Sequence, residues 1–161
     1  MKTKFIYTII LAITCIISTQ AQDKLFDKLA ANNNITMVQI NKALLDLIPQ
    51  MQYNPKAADI KQLTQNLDLM EIYNCNNNSK AITFVKSEMK DFLKTTAMES
   101  LMTIKDKGQM VYFYGQKQKD RYKNLILYME ETNNCTVIRI TGNFTSNDIK
   151  NVIDNSTNKV K

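Results

Sequence analysis

The apolar residues of this chain fall into three regimes. Phe5 to Ile17 is an almost unbroken apolar run of 13 residues. Between residues 23 and 94, apolar positions recur mostly at three- and four-residue intervals, with short alternating stretches between them. From Leu101 onward the period is two. A period near 3.6 predicts helices with one buried stripe, and a period of two predicts strands whose side chains alternate between faces.

In the middle regime, Asp23 to Ala31 predicts a short helix with Leu25, Phe26 and Leu29 on one side. Asn32, Asn33 and Asn34 end it, because asparagine side chains compete for backbone hydrogen bonds. Ile35 to Ile40 reads as a strand, followed by a helix from Asn41 through Ala43, Leu44, Leu47 and Ile48 that leaves regular structure near Met51. Asn54-Pro55 leads into a third helix with Ile60, Leu63 and Leu67. Leu69 to Asn74 alternates and reads as a second strand, closed by Cys75 and the cluster Asn76 to Asn78. Ser79 is the expected N-cap of the longest helix, whose stripe is Ile82, Val85, Met89, Phe92 and Leu93.

Four strands are expected next: Leu101 to Lys105, Met110 to Gln116, Tyr122 to Glu130 and Thr136 to Thr141. Asp106-Lys107-Gly108-Gln109 supplies a tight turn, with Gly108 available for positive φ. Gln116 to Arg121 is a longer polar connection and Thr132-Asn133-Asn134 a short one. Short connections make antiparallel neighbours, so this half is a four-stranded meander. Thr145 to Asp148 has capping-box spacing and opens a last helix with Ile149, Val152 and Ile153, before a frayed tail over residues 155–161. The expected architecture is a single α+β domain over residues 22–154, with helices on one face of a largely antiparallel sheet.

The N-terminal run changes the picture of where this domain works. Lys2 and Lys4 precede it without an acidic residue, and Thr19 and Ala21 stand at the −3 and −1 positions of a small-x-small site. Thirteen apolar residues suit a cleavable signal peptide over residues 1–21, cut between Ala21 and Gln22. They fall short of the roughly 20 that a spanning helix needs. The expected location is periplasmic or secreted, with no membrane span after cleavage. Lipid anchoring through Cys15 fits less well, because Thr14 is a poor substitute for the Gly, Ala or Ser preferred before a lipidated cysteine.

Removing Lys2 and Lys4 leaves 19 basic against 15 acidic residues, a net charge of +4 spread along the chain. A scattered excess of that size describes a solvated surface and gives no sign of a nucleic-acid partner. Two cysteines remain, Cys75 and Cys135, and in an oxidising compartment such a pair is a disulfide candidate. The bond would close a loop of about 60 residues, worth roughly 4 kcal/mol in the chain-entropy model. The alternative is two separate buried thiols.

Histidine is absent, which removes triads and His-ligated zinc. The three glycines, at 108, 115 and 142, form no phosphate-cradling loop. No catalytic residue, metal site or cofactor is assigned. The carboxylate pairs Asp23/Asp27, Glu88/Asp91 and Glu130/Glu131 sit among lysines and read as surface charge, though paired carboxylates are what sugar hydrolysis would need. The asparagines of Asn74 to Asn78 suit turns better than calcium.

The positive feature is aromatic. In one register Tyr112 and Tyr114 share a sheet face with Ile126 and Tyr128, near Val137 and Arg139. Val111, Phe113, Leu125, Leu127, Met129, Ile138 and Ile140 then point the other way, toward the helices. On this reading Tyr112, Tyr114, Tyr128 and Arg139 form an outward recognition surface. The competing explanation is that tyrosines favour half-buried strand positions.

Several segments together carry a resemblance. They are Leu25-Phe26-Asp27-Lys28, the strand-to-helix run Val38 to Leu47, the hairpin from Leu101-Met102 to Tyr114, and Leu125 to Leu127 leading to Ile138-Arg139-Ile140-Thr141-Gly142. In order and pattern the chain resembles the DUF4252 family, small exported proteins typical of Bacteroidetes. The resemblance implies an envelope location and supplies no activity, ligand or catalytic residue. The leading expectation is therefore a non-enzymatic module that binds an envelope protein or glycan. The alternatives are a carboxylate-dependent hydrolase acting on envelope polysaccharide and a structural envelope component.

Overall fold

A computed structural model of the chain describes residues 24–47 and 65–157, with side chains described for 24–44 and 65–151. The expected signal peptide, the helix after Asn54-Pro55 up to residue 64, and residues 158–161 lie outside the described residues.

Helix α1 covers residues 24–31 and buries Leu25, Phe26 and Leu29, the stripe its spacing predicts. It stops where expected. The Asn34 amide donates to Asn32 Oδ1 at 3.0 Å, and the Ile35 amide donates to the Asn32 carbonyl at 2.9 Å. This Asx turn competes with helical hydrogen bonding and redirects the chain. Strand β1 (Thr36–Asn41) and helix α2 (Lys42–Leu47) follow, then β2 (Leu67–Asn74). Leu67, expected on the third helix, opens β2 instead and is buried.

Helix α3 (Ser79–Thr95) carries Ala81, Ile82, Val85, Met89 and Phe92 inward. Its N-cap is Asn78 rather than Ser79: Asn78 has extended φ/ψ, and its Oδ1 accepts from the Ala81 amide at 3.0 Å. Either side chain could cap, and the residue whose backbone is still extended is the one that does.

The meander then runs through β3 (Glu99–Asp106), β4 (Gln109–Gln118), β5 (Arg121–Glu130) and β6 (Cys135–Phe144). The β3–β4 turn has Lys107 at φ 38° and Gly108 at φ 89°, both positive as a two-residue hairpin loop requires. β4 and β5 extend to within two residues of each other, so the connection expected to be long is a tight turn with Lys119 at φ 59°. Helix α4 (Ser146–Thr157) opens on the expected capping box. The Thr145 amide donates to Asp148 Oδ2 at 2.7 Å, and the Asp148 amide donates to Thr145 Oγ1 at 3.2 Å. The helix takes in residues 155–157 of the expected tail.

All six strands form one antiparallel sheet in the order β1-β2-β6-β5-β4-β3. The α+β class, the largely antiparallel sheet and the C-terminal meander are as read from the sequence. The distribution of helices needs amending. Helices α1 and α3 pack on the face with Tyr73, Ile126, Tyr128 and Val137, while Ile149 of α4 joins Leu67, Phe113, Tyr122, Leu125 and Phe144 on the reverse face. Both faces are thus apolar, and each fully buried large side chain contributes roughly 1.5–3 kcal/mol.

The β6 strand meets the segment before β2 at Gly142. A Cβ there would press into the Asn66 carbonyl oxygen, which accepts from the Asn143 amide at 2.9 Å. At Gly115 the nearest atoms belong to the side chains of Tyr122 and Leu101, 2.7 and 2.8 Å from a built Cβ. Backbone cannot yield as a rotamer can. Gly142→Ala should therefore cost about 1–3 kcal/mol in urea unfolding, with an unchanged m-value, and more than Gly115→Ala. Equal losses at the two positions would contradict the close approach.

Candidate functional site

Tyr112 pairs with Tyr128, Tyr114 with Ile126, Tyr128 with Val137, and Ile126 with Arg139. The register expected for the tyrosine face is therefore the one adopted. Its direction is the reverse of the expectation. The tyrosines face α1 and α3: Tyr128 is 4% exposed, and Tyr112 and Tyr114 pack half-buried against the same core. Tyr112 stacks on Tyr114 at 6.1 Å and on Tyr128 at 5.7 Å between ring centroids. An outward recognition surface made of Tyr112, Tyr114, Tyr128 and Arg139 is not what this packing presents. The physical reason is that α1 and α3 need an apolar partner surface, and the tyrosine rings supply it.

Arg139 is the centre of a buried polar cluster on that face. Its Nη1 donates to Glu71 Oε2 at 3.2 Å, and the two side chains are only 14% and 10% exposed. The Phe26 ring lies over the guanidinium at 4.4 Å, and Tyr73 packs against Phe26 at 5.7 Å. The pair therefore fastens β2 to β6 beneath α1. Removing one partner strands the other charge in a low-dielectric setting, at about 3–5 kcal/mol. Arg139→Met should lose stability on that scale, whereas Arg139→Met combined with Glu71→Leu should recover most of it. A double mutant no more stable than the single would argue against the ion pair as the cause.

Burial also shapes the phenols. The hydroxyls of Tyr73 and Tyr128 ionise well above the usual tyrosine range, chiefly because burial disfavours the phenolate, with Glu71 and Glu130 respectively adding to the shift. Tyr114 and Tyr122 shift the same way for the same leading reason. Folded protein therefore holds these protons more tightly than unfolded chain. Their contribution to stability is complete below the ordinary tyrosine value of about 10 and declines as pH rises beyond it. Urea midpoints should hold steady between about pH 8 and 9, then fall above about pH 10, while the native protein ionises fewer tyrosines than the unfolded one. A midpoint that stays flat to about pH 11 would show that the phenols are not protected.

A different part of the molecule gathers chemistry at its surface. The β2–α3, β3–β4 and β5–β6 connections meet at one end of the sheet. An open cleft of about 460 Å³ is bounded there by Asn76, Asp106, Gln109, Glu131, Asn133 and Asn134. A second, of about 440 Å³, shares Thr132 and Asn133 and adds Asn77, Ser79, Thr83 and Lys86. Hydrogen bonds hold the loops in place. The Asn77 amide donates to the Asn133 carbonyl at 2.8 Å, and the Glu131 amide to the Asn134 carbonyl at 2.9 Å. Asn74 Nδ2 bridges to Asn134 Oδ1 and Thr136 Oγ1 at 3.1 and 2.8 Å, and Gln109 Nε2 donates to Glu131 Oε1 at 2.8 Å. The asparagine clusters were visible in the sequence as turns. Their convergence depends on β2 pairing with β6, which no local pattern announces.

Immediately beneath these loops lie Cys75 and Cys135, both free thiols and each 1% exposed. The Cys75 amide and the Cys75 thiol each donate to the Cys135 carbonyl at 3.0 Å. The contact between the thiols favours ionisation of Cys75, where Lys86 adds a smaller pull, and holds Cys135 protonated, with burial reinforcing the latter. Lys86 also pairs with Glu130 at 3.5 Å. The Tyr128 hydroxyl faces this group but is in good hydrogen-bond geometry with no described partner.

The carboxylates that hydrolysis would call upon are mostly engaged elsewhere. Glu88 binds Lys28 at 2.8 Å, Asp91 lies 3.6 Å from Lys94, and Glu130 pairs with Lys86. Asp23 lies outside the described residues, and Asp27 is exposed. Among the described residues, no three of His, Cys, Asp or Glu converge as metal ligands, and no helix is long and apolar enough to cross a membrane.

Comparison with known families agrees with the segments noted above. The model of a domain of unknown function, DUF4252, matches residues 27–152, from the middle of α1 to the first turns of α4. The chain belongs to that family. No curated protein and no solved structure matches it.

Proposed function

We propose that the chain is an exported envelope protein that acts by binding rather than by catalysis, and that the amide-lined end of its sheet receives a hydroxyl-rich ligand of the glycan class. The observation that carries this reading is the pair of adjoining clefts sharing Thr132 and Asn133. Each carboxamide offers two donors and an acceptor on one planar group, which suits adjacent hydroxyls. The Asn77–Asn133 backbone bond ties two of the loops and the Gln109–Glu131 side-chain bond ties the third, so a ligand meets a surface that is already ordered. Export is supported by the lysine-led apolar run and the small-x-small site at Thr19 and Ala21.

Asp106 and Glu131 border the first cleft together, which is the specific reason to keep a polysaccharide hydrolase as the second reading. Both are exposed, so neither has the desolvation that prepares a carboxyl as general acid.

Both readings meet in one experiment. The purified protein is titrated with soluble chito-oligosaccharides, mannan oligosaccharides and peptidoglycan fragments while amide resonances are followed. Shifts should gather at Asn76, Asn77 and Thr132 to Asn134, and Asn133→Ala should weaken binding about tenfold, the equivalent of one good hydrogen bond to the ligand. No shift across the panel would end the glycan reading, and shifts elsewhere would end the site. New reducing ends appearing over time, and lost in Glu131→Gln, would establish the hydrolase instead.

A further inference from the structure

We propose that Cys75 and Cys135 are a disulfide-forming pair, closed by thiol–disulfide exchange with a disulfide oxidant of the glutathione or oxidoreductase class. The geometry is that of a cross-strand pair. Asn74 is registered opposite Thr136, so the next residues outward, Cys75 and Cys135, face one another. The Cys75 amide bonded to the Cys135 carbonyl at 3.0 Å continues the ladder to this point. Residues opposed across an antiparallel ladder point their side chains to the same face with Cα atoms about 5.5 Å apart in hydrogen-bonded pairs, inside the roughly 4.4–6.8 Å range that a disulfide spans. The Cys75 sulfur already reaches the Cys135 carbonyl oxygen at 3.0 Å, so it need only swing from that oxygen to the neighbouring sulfur.

The exchange balances without any further reactant. The Cys75 thiolate, having given up its proton, attacks the oxidant's disulfide and releases one thiolate of the oxidant. Cys135 then loses its proton and attacks the mixed disulfide at the Cys75 sulfur, releasing the second. Two S–H bonds in the chain become one S–S bond, and the oxidant leaves as two thiols carrying the two electrons and two protons. Cys75 is taken as the attacking sulfur because its contact with Cys135 and, more weakly, Lys86 draw its thiol toward ionisation. Once formed, the bond ties the strand ends from which Asn76 to Asn78 and Thr132 to Asn134 emerge, and so fixes the loops that bound the clefts.

That the bond is resident in the cell rests on the export reading, so the test separates chemistry from location. Reduced protein is refolded with oxidised and reduced glutathione and digested with trypsin without reductant. Peptides 62–80 and 124–139, which carry Cys75 and Cys135, should appear as one linked species lighter than their sum by two hydrogens. Reduction should lower the melting temperature by about 10 °C, a shift absent from the Cys75→Ser/Cys135→Ser protein. The Cys135→Ser protein should instead keep glutathione on Cys75, which reports the attacking sulfur even if the double variant folds poorly. Two free thiols after refolding would overturn the proposal wherever the protein resides. A linked species in vitro, with free thiols in cell-derived chain that begins at Gln22, would overturn the resident bond while leaving export standing.

Discussion

The antiparallel ladder between β2 and β6 joins two parts of the chain that are nearly seventy residues apart, with Leu67 opposite Gly142 at one end and Asn74 opposite Thr136 at the other. Without it there would be a β1–β2 hairpin and a separate meander, each with an apolar face and no partner. With it, the sheet is continuous and wide enough for α1 and α3 to share one face. Closing so long a loop carries an entropic cost that local contacts do not offset. The interactions concentrated along this seam are of the kind that repay such closure: the Glu71–Arg139 ion pair in its middle, the Asn74 bridge to Asn134 and Thr136 near one end, and Asn66 against Asn143 at the other.

The seam also decides which residues can meet. Arg139 finds Glu71 only because their strands are neighbours, and Phe26 covers the guanidinium only because α1 lies across both strands. The same pairing brings the two asparagine clusters to one end and sets Cys75 against Cys135. Fold and candidate site are therefore one problem in this molecule. A change that shifted the β2–β6 register by one residue would send Glu71 to the opposite face from Arg139 and separate the loops that line the clefts.

Much of the architecture could be read locally. Leu25, Phe26 and Leu29, the stripe from Ile82 to Phe92, the turn at Lys107-Gly108 and the box from Thr145 to Asp148 each carry their instruction within a few residues. Alternation likewise told which meander residues share a face. It could not tell which face turns inward, because the set with Val111, Phe113 and Leu125 is as apolar as the set with Tyr112, Ile126 and Val137. The sign is settled by what the helices bring, and that depends on crossings set by the whole sheet. Tyrosine is the least informative residue for this purpose, since its ring suits a core and its hydroxyl suits a rim. The asparagines were ambiguous for a different reason. A turn-forming amide and a ligand-facing amide are the same group, and only convergence in space separates them.

With both faces occupied by apolar clusters, a ligand of the kind proposed would have only the edges and ends of the sheet to meet. The β3 edge exposes Glu99, Ser100, Thr103, Lys105 and Asp106, a charged and polar row of the kind that discourages strand addition. The β1 edge is short, with Val38 as its one exposed large apolar residue. Neither offers the long, flat, apolar ladder that an added strand requires. The end formed by Asn76 to Asn78, Asp106 to Gln109 and Glu131 to Asn134 is different in kind, because its loops hydrogen-bond to each other and border the open clefts. A sheet packed on both faces is rigid, and loops rooted in adjacent strands of such a sheet inherit that rigidity. Specific recognition of a polar ligand needs this more than it needs area, since the ordering cost of the binding groups is then met by the fold before the ligand arrives.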